Sequence, residues 1–425
     1  MLQEVWLVLT VAAAAAVAVV PSPPTMIKQP KHEQLYQVSQ SQDEPDKPFV
    51  LECEAQGNPE PTYEWTKNNK EFDYVSYDNR ISQQPHRGTL VFTKPDDVDE
   101  GLYQCRATNV HGTSVSNSVF LRKSELNSFA EESIKEVYVM EGDPLSLDCN
   151  PPTGYPRPNI FWLIQHSSGA LRNVNSSRIT ADPEGDLHFS RVEMSDALSD
   201  AVYTCSATSG FRSEYKIGNK QMLRVEPASS GGPANHPPVQ QYVSPPNIVA
   251  LRGQELRLYC IFGGTPLPHI TWTKRNSSSN RFTYIDYGKT LEIPKVAFED
   301  DGIYECVANN GVGISKSHAM SVKVESAPYW LRASENLNAA GEETVTFVCV
   351  AGGIPEPKLQ WFVNGVPMEM LLKWGLQSPC SSVKLSFSFL MAHKAPVRGN
   401  LQKIVVCASG APGVAHHCHS SPPPF

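Results

Sequence analysis

Cysteine is the residue type with the most chemistry to offer in this chain, and there are ten of them. Six recur with the same neighbours. Cys53 is followed by Trp65 and then by Tyr103-Gln104-Cys105, Cys149 by Trp162 and Tyr203-Thr204-Cys205, and Cys260 by Trp272 and Tyr304-Glu305-Cys306. A fourth set opens with Cys349 and Trp361 and then breaks, leaving Cys349, Cys380, Cys407 and Cys418 without an expected pairing. Thiols at repeated spacing point to disulfides formed in an oxidising compartment rather than to nucleophilic or redox catalysis. There is no G-x-S-x-G, no H-E-x-x-H and no phosphate-binding loop, so the motifs give no support for an enzyme. His416-His417-Cys418-His419 is dense in metal-capable side chains. Its spacing is too tight for a zinc finger and no second ligand pair is positioned, so the expectation is an unstructured tail with no metal and no cofactor.

The elements that must position these cysteines are strands. Each first cysteine closes a period-2 alternation: Phe49, Leu51, Cys53; Leu145, Leu147, Cys149; Leu256, Leu258, Cys260; Val345, Phe347, Cys349. The second cysteines of the three full sets do the same: Tyr103, Cys105, Ala107; Tyr203, Cys205, Ala207; Tyr304, Cys306, Ala308. Alternation of this kind marks strands with one face buried. Cys…Trp…Tyr-x-Cys on such strands is the pattern of immunoglobulin-like β-sandwiches. The fold class expected is therefore all-β, a row of I-set or C2-type sandwiches. Cysteines on strands B and F face one core and bridge the two sheets as Cys53–Cys105, Cys149–Cys205 and Cys260–Cys306. Trp65, Trp162, Trp272 and Trp361 on strand C pack against the bridges. Tyr103, Tyr203 and Tyr304 make tyrosine corners. Arg80 and Arg281, before strand E, are expected to pair with Asp99 and Asp300 in structural ion pairs, and Arg178 holds the similar place in the second repeat.

Composition agrees with this architecture. The chain has 425 residues, 35 prolines and 15 tyrosines, which suits turn-rich β structure better than helix bundles. A net charge of −8 without a basic block argues against nucleic acid as a partner. The apolar run from Val5 to Val20 is short for a bilayer span and reads as a secretory signal over residues 1–20, with Ala16 and Ala18 placed for cleavage. No later window is apolar enough to span, so the chain as written is expected to be secreted. Asn175-Ser176-Ser177 and Asn276-Ser277-Ser278 are N-glycosylation acceptors.

Boundaries follow from the repeats: sandwiches over 26–123, 126–226 and 245–325, a partial fourth over 327–368, and an atypical, disordered tail over 369–425. All 44 acidic residues precede Met370, whereas the tail carries Lys373, Lys384, Lys394, Arg398 and Lys403. Val405-Val406-Cys407 imitates a strand F, but the tyrosine and its turn are missing. A Pro/Gly/Ser-rich linker is expected over 227–244. Those eighteen residues span at most ~60 Å. The other joints are only a few residues, so only here can the chain double back, setting the third unit beside the second.

YDNRISQQPHRGTLVF, NSSRITADPEGDLHFS, CSATSGFRSEYKIGNK, HPPVQQYVS and GGTPLP resemble the L1 family of neural cell-adhesion molecules, over roughly residues 24–368. That resemblance implies six immunoglobulin domains followed by fibronectin type III domains, a membrane span and an ankyrin-binding tail in full-length plasma-membrane relatives. It also implies a horseshoe of the first four domains, one against four and two against three, and a role in neuronal adhesion and axon guidance. Partners implied are cell-surface proteins: the chain itself, L1-family relatives and other immunoglobulin-type receptors. After Met368 the sequence departs from the family. The competing expectations are a secreted decoy that modulates full-length adhesion and an ectodomain fragment of an immunoglobulin-type receptor.

Overall fold

A computed structural model describes residues 20–39, 44–174, 176–229, 232–275, 281–332, 345–363, 366–367, 385–387, 404–409 and 417–419. Strands dominate, as the alternation requires. In the first unit Phe49–Leu51, Leu90–Phe92 and Ile81–Gln83 form one sheet. The facing sheet runs Glu33–Tyr36, Val119–Lys123, Gly101–Asn109, Thr62–Lys67 and Lys70–Glu71. Its first pair is parallel and the others antiparallel. The second unit repeats the plan with Leu145–Leu147, Leu187–Phe189 and Ile179–Ala181 against a sheet of Lys135–Met140, Glu214–Glu226, Ala201–Ser209, Asn159–His166 and Leu171–Asn173. In the third, His236–Val243, Leu256–Thr265, Thr290–Ile293 and Thr283–Ile285 face Asn247–Leu251, Lys316–Arg332, Gly302–Asn309 and His269–Lys274.

Each of these three units has one core built on the repeated landmarks. Cys53 is joined to Cys105, Cys149 to Cys205 and Cys260 to Cys306, closing sequence separations of 52, 56 and 46 residues. Trp65, Trp162 and Trp272 stand directly opposite Cys105, Cys205 and Cys306 in register, so tryptophan and cysteine share the inner face. Each indole Nε1 donates to a glycine carbonyl in the turn leading into a strand of the other sheet: Gly88 at 2.6 Å, Gly185 at 2.8 Å and Gly288 at 2.9 Å. The buried phenols of Tyr103, Tyr203 and Tyr304 donate back to the carbonyls of Asp99, Asp196 and Asp300, at 2.8, 3.2 and 2.9 Å. A buried hydroxyl without such a partner costs one to three kcal/mol, roughly, so these bonds are needed for the aromatic bodies to pack.

Two joints are stiff. Ser124, between the first and second units, is buried, and its carbonyl accepts from Arg212 Nη1 at 3.2 Å. Arg122 stacks on Tyr155, 4.4 Å from the ring centre, while the Tyr155 hydroxyl donates to Glu33 at 2.8 Å. Between the third and fourth units there is no linker. The strand Lys316–Arg332 leaves the third unit and pairs with Val350–Ile354 of the fourth.

Two expectations are corrected. Residues 236–243 are not linker but the first strand of the third unit, antiparallel to Leu256–Thr265. Pro237 and Pro238 signal a break in the sequence, yet this is an edge strand, where proline removes no ladder bond the sheet needs. The tail is not structureless along its whole length. Leu385–Phe387 pairs with Val345–Phe347, Ile404–Ser409 with Lys358–Val363, and His417–His419 with Val406–Ala408. These segments keep β-favouring alternation despite the changed charge balance, and the open edges of a half-sandwich recruit them. The register differs from the other units: Trp361 stands opposite Val406, and Cys407 opposite Gln360.

Candidate functional site

Immunoglobulin units act through their surfaces and through what holds those surfaces in place. The joint that sets the arrangement here lies between the second and third units. The chain doubles back after Glu226, and the three-stranded sheet of the second unit packs against the His236–Val243 and Leu256–Thr265 strands and the Lys289 turn of the third. Gln241, on His236–Val243, reaches across and donates its side-chain amide to the carbonyls of Leu145 and Phe189, both at 3.0 Å. The Gly264 amide donates to the Ser190 carbonyl at 2.8 Å. The Thr265 hydroxyl donates to the Gly142 carbonyl. His236 Nε2 lies 2.8 Å from Asp143 Oδ1.

Glycine permits the close approach. A Cβ on Gly263 would stand 2.4 Å from Pro144 Cβ and 2.9 Å from the Ser190 carbonyl oxygen. A Cβ on Gly142, where φ is +94°, would stand 2.6 Å from Pro233 Cβ. Only residues without a side chain let the two backbones meet at this distance.

Three titratable side chains are buried at the joint: Asp182, His188 and Lys289. His188 lies 2.8 Å through Nδ1 from Ser146 Oγ and 2.9 Å through Nε2 from Asp182 Oδ2. Its ring stacks on Tyr242 of the third unit at a centroid distance of 6.5 Å. Burial alone would raise the Asp182 carboxyl, but His188 and the amides of Gly185 and Asp186 hold it below the usual carboxylate range. Burial, with Glu184 and Asp182 nearby, pushes the Tyr242 phenol up to about 12. Lys289 of the third unit is 4% exposed and donates to the Ser177 carbonyl at 2.6 Å and to Thr180 Oγ1 at 2.8 Å. Burial pushes its amine down to about 8.

The residues forming this joint coincide with stretches that carry the family resemblance. HPPVQQYVS contains His236, Gln241 and Tyr242; GGTPLP contains Gly263, Gly264 and Thr265; NSSRITADPEGDLHFS contains Ser177, Thr180, Asp182, His188 and Ser190. The same likeness extends along the chain. It is 50% identical to Neuroglian of Drosophila melanogaster over 353 residues, which cover 82% of this chain and 27% of that protein. The chain belongs to the L1 family of neural cell-adhesion molecules. It is 36% identical to the Neuronal cell adhesion molecule of Gallus gallus over 356 residues, 82% of this chain and 26% of that one. This L1-family chain thus spans about a quarter of the length of these relatives. An immunoglobulin domain family model matches residues 30–109 and 237–310. Among solved structures, the insect immune protein hemolin superposes with a TM-score of 0.76 at 27% identity, over 94% of this chain and 99% of that one. The first four immunoglobulin domains of Sidekick-1 share the fold at a TM-score of 0.68 and 20% identity.

The expected ion pairs differ in quality across the L1-family repeats. Arg80 grips Asp99 with both terminal nitrogens, at 3.0 and 3.1 Å, and also holds Asp78. Arg281 is loose, 3.8 Å from Asp300 and about half exposed. The third pair escaped sequence reasoning: Arg178 binds Asp196 through two nitrogens, at 2.9 and 3.1 Å. Asp99 and Asp300 precede their tyrosines by four residues, whereas Asp196 precedes Tyr203 by seven, so the turn pattern that reveals the others is absent. Lys289 carries no sequence signal for its role, because its partners lie in another unit. Asn175, Asn276, Cys380, His416 and residues 1–19 lie outside the described residues. Cys349 is buried in the fourth unit. Trp361 lies on the strand Lys358–Val363.

Proposed function

We propose that this chain works outside the cell as an adhesion and recognition protein. Its immunoglobulin units bind cell-surface proteins, a second copy of the chain among them, in the setting of neuronal adhesion and axon guidance. The observation that carries the reading is the docked second and third units, built from the stretches that resemble L1-family sequences. In this reading, doubling the row back brings the first and fourth units towards one another, as the family resemblance implies. Hemolin, whose structure superposes over nearly the whole chain, is described by its crystallographers as having a domain arrangement with implications for homophilic adhesion. That arrangement supports the homophilic part of the proposal.

A bead-aggregation assay tests it. Beads coated with the chain are expected to cluster with one another and to join beads coated with Drosophila Neuroglian. Beads that stay dispersed and leave Neuroglian-coated beads clustering normally refute the adhesive reading. Dispersed beads together with soluble chain that blocks Neuroglian clustering would point to the decoy role.

A further inference from the structure

Lys289 is a cation in an unusual place. Its ammonium is buried between two units, with the Ser177 carbonyl and Thr180 hydroxyl as partners and no carboxylate among its hydrogen bonds. The neighbouring charges do little to compensate. Asp286, on its own turn, favours the cation, and Arg178, from the second unit, disfavours it. Arg178 is itself engaged by Asp196 and Glu193. His188 stands opposite Thr180 on the adjoining strand, but its ring nitrogens are taken up by Asp182 and Ser146.

The backbone that delivers Lys289 is under strain. Asp286, Tyr287 and Gly288 have φ of +51°, +58° and +87° in succession. Two of these are not glycine, and left-handed backbone at such residues costs of order one to three kcal/mol each unless the surroundings over-determine it. Here Asp286 is fixed by a 2.8 Å bond from Thr290 Oγ1, Gly288 accepts from the Trp272 indole, and Lys289 is anchored in the second unit. Tyr287, 69% exposed, has no burial to hold it in place. The turn is therefore held jointly by the third unit's own Thr290 and Trp272 bonds and by the anchoring of Lys289 in the second unit.

We propose that the docking of the second unit on the third is a proton-sensitive latch, closed most firmly when Lys289 is the neutral amine. Opening the joint returns Lys289 to water, where the ammonium is fully solvated, so the open form binds the proton more tightly than the closed form. The closed form is thus penalised while the lysine is protonated. It gains as pH rises through about 8 towards the ordinary lysine value near 10.4. Between pH 7 and pH 9 linkage gives a shift of about tenfold in the ratio of closed to open molecules.

Hydrogen exchange on the intact chain tests the latch. The Gly264 amide, bonded across the joint to Ser190, reports opening. The Ser124 amide, bonded to Tyr36 within the other arm, is the control. After correction for chemical exchange, Gly264 protection is expected to rise about tenfold from pH 7 to pH 9 while Ser124 stays level. Lys289→Met, which keeps an unbranched chain without a charge, and Lys289→Arg, which keeps the charge at every pH, should both abolish the rise. Level protection at Gly264 in the wild-type chain overturns the proposal, and so does a rise that persists in either variant. The wild-type series decides the matter even if a variant fails to fold.

Discussion

Replacing Gly263 by alanine adds one methyl group at a point where the second and third units approach closely. That methyl would lie 2.4 Å from Pro144 Cβ, 2.9 Å from the Ser190 oxygen and 3.1 Å from Gln241 Oε1. Carbon atoms do not approach to 2.4 Å, and neither the proline ring nor the Ser190 carbonyl can rotate away. Separating the surfaces by about an ångström lengthens the Gly264–Ser190 bond and both Gln241 bonds beyond hydrogen-bonding range. Each such bond contributes about 0.5–1.5 kcal/mol net. Losing three weakens docking by roughly 1.5–4.5 kcal/mol, on the order of ten- to a thousandfold in the closed-to-open ratio. Within the third unit the change is mild, because Gly263 needs no left-handed backbone. Small-angle scattering on the whole chain should show a larger radius of gyration for Gly263→Ala, with the melting of the individual units unchanged. Gly210→Ala, with open space around it, should scatter like wild type. An unchanged radius for Gly263→Ala would refute the claim that this contact sets the arrangement.

Other outcomes follow from the same geometry. Arg178→Ala leaves Asp196, almost wholly buried, without its cation and should cost about 3–5 kcal/mol in urea denaturation of the second unit. Arg281→Ala removes a half-exposed partner at 3.8 Å and should cost no more than about 1 kcal/mol; equal losses for the two would contradict the distinction. Replacing Cys149 and Cys205 together by alanine opens a 56-residue loop and should destabilise the second unit by about 2–5 kcal/mol, read as a lowered melting temperature. We propose that Asn175 and Asn276 both carry glycans in secreted material, so peptide-N-glycosidase should convert both to aspartate; peptides that keep asparagine at either position would refute this.

Much of this architecture was legible in the residues. Cysteine, tryptophan and tyrosine on alternating positions read directly as inward faces because a strand repeats every two residues, and each landmark has a local reason to exist. The reading failed where the cause was not local. Pro237 and Pro238 read as linker because an edge strand tolerates what a central strand does not. Asp196 was hidden by three inserted residues. The tail segments at 385–387 and 404–409 lack the tyrosine and turn that mark a strand F, although Ile404-Val405-Val406 has the β-branched composition of a strand. Lys289 and Gly263 could not be found at all, since each matters only through atoms more than seventy residues away in sequence.

We propose that the docked second and third units present the surface that binds a second copy of the chain. Bead clustering with wild type and Gly263→Ala side by side tests that link most directly. Wild-type beads should aggregate, and variant beads should stay dispersed although every unit remains folded. Variant beads that cluster as readily as wild type, with the joint shown to be open, would contradict it.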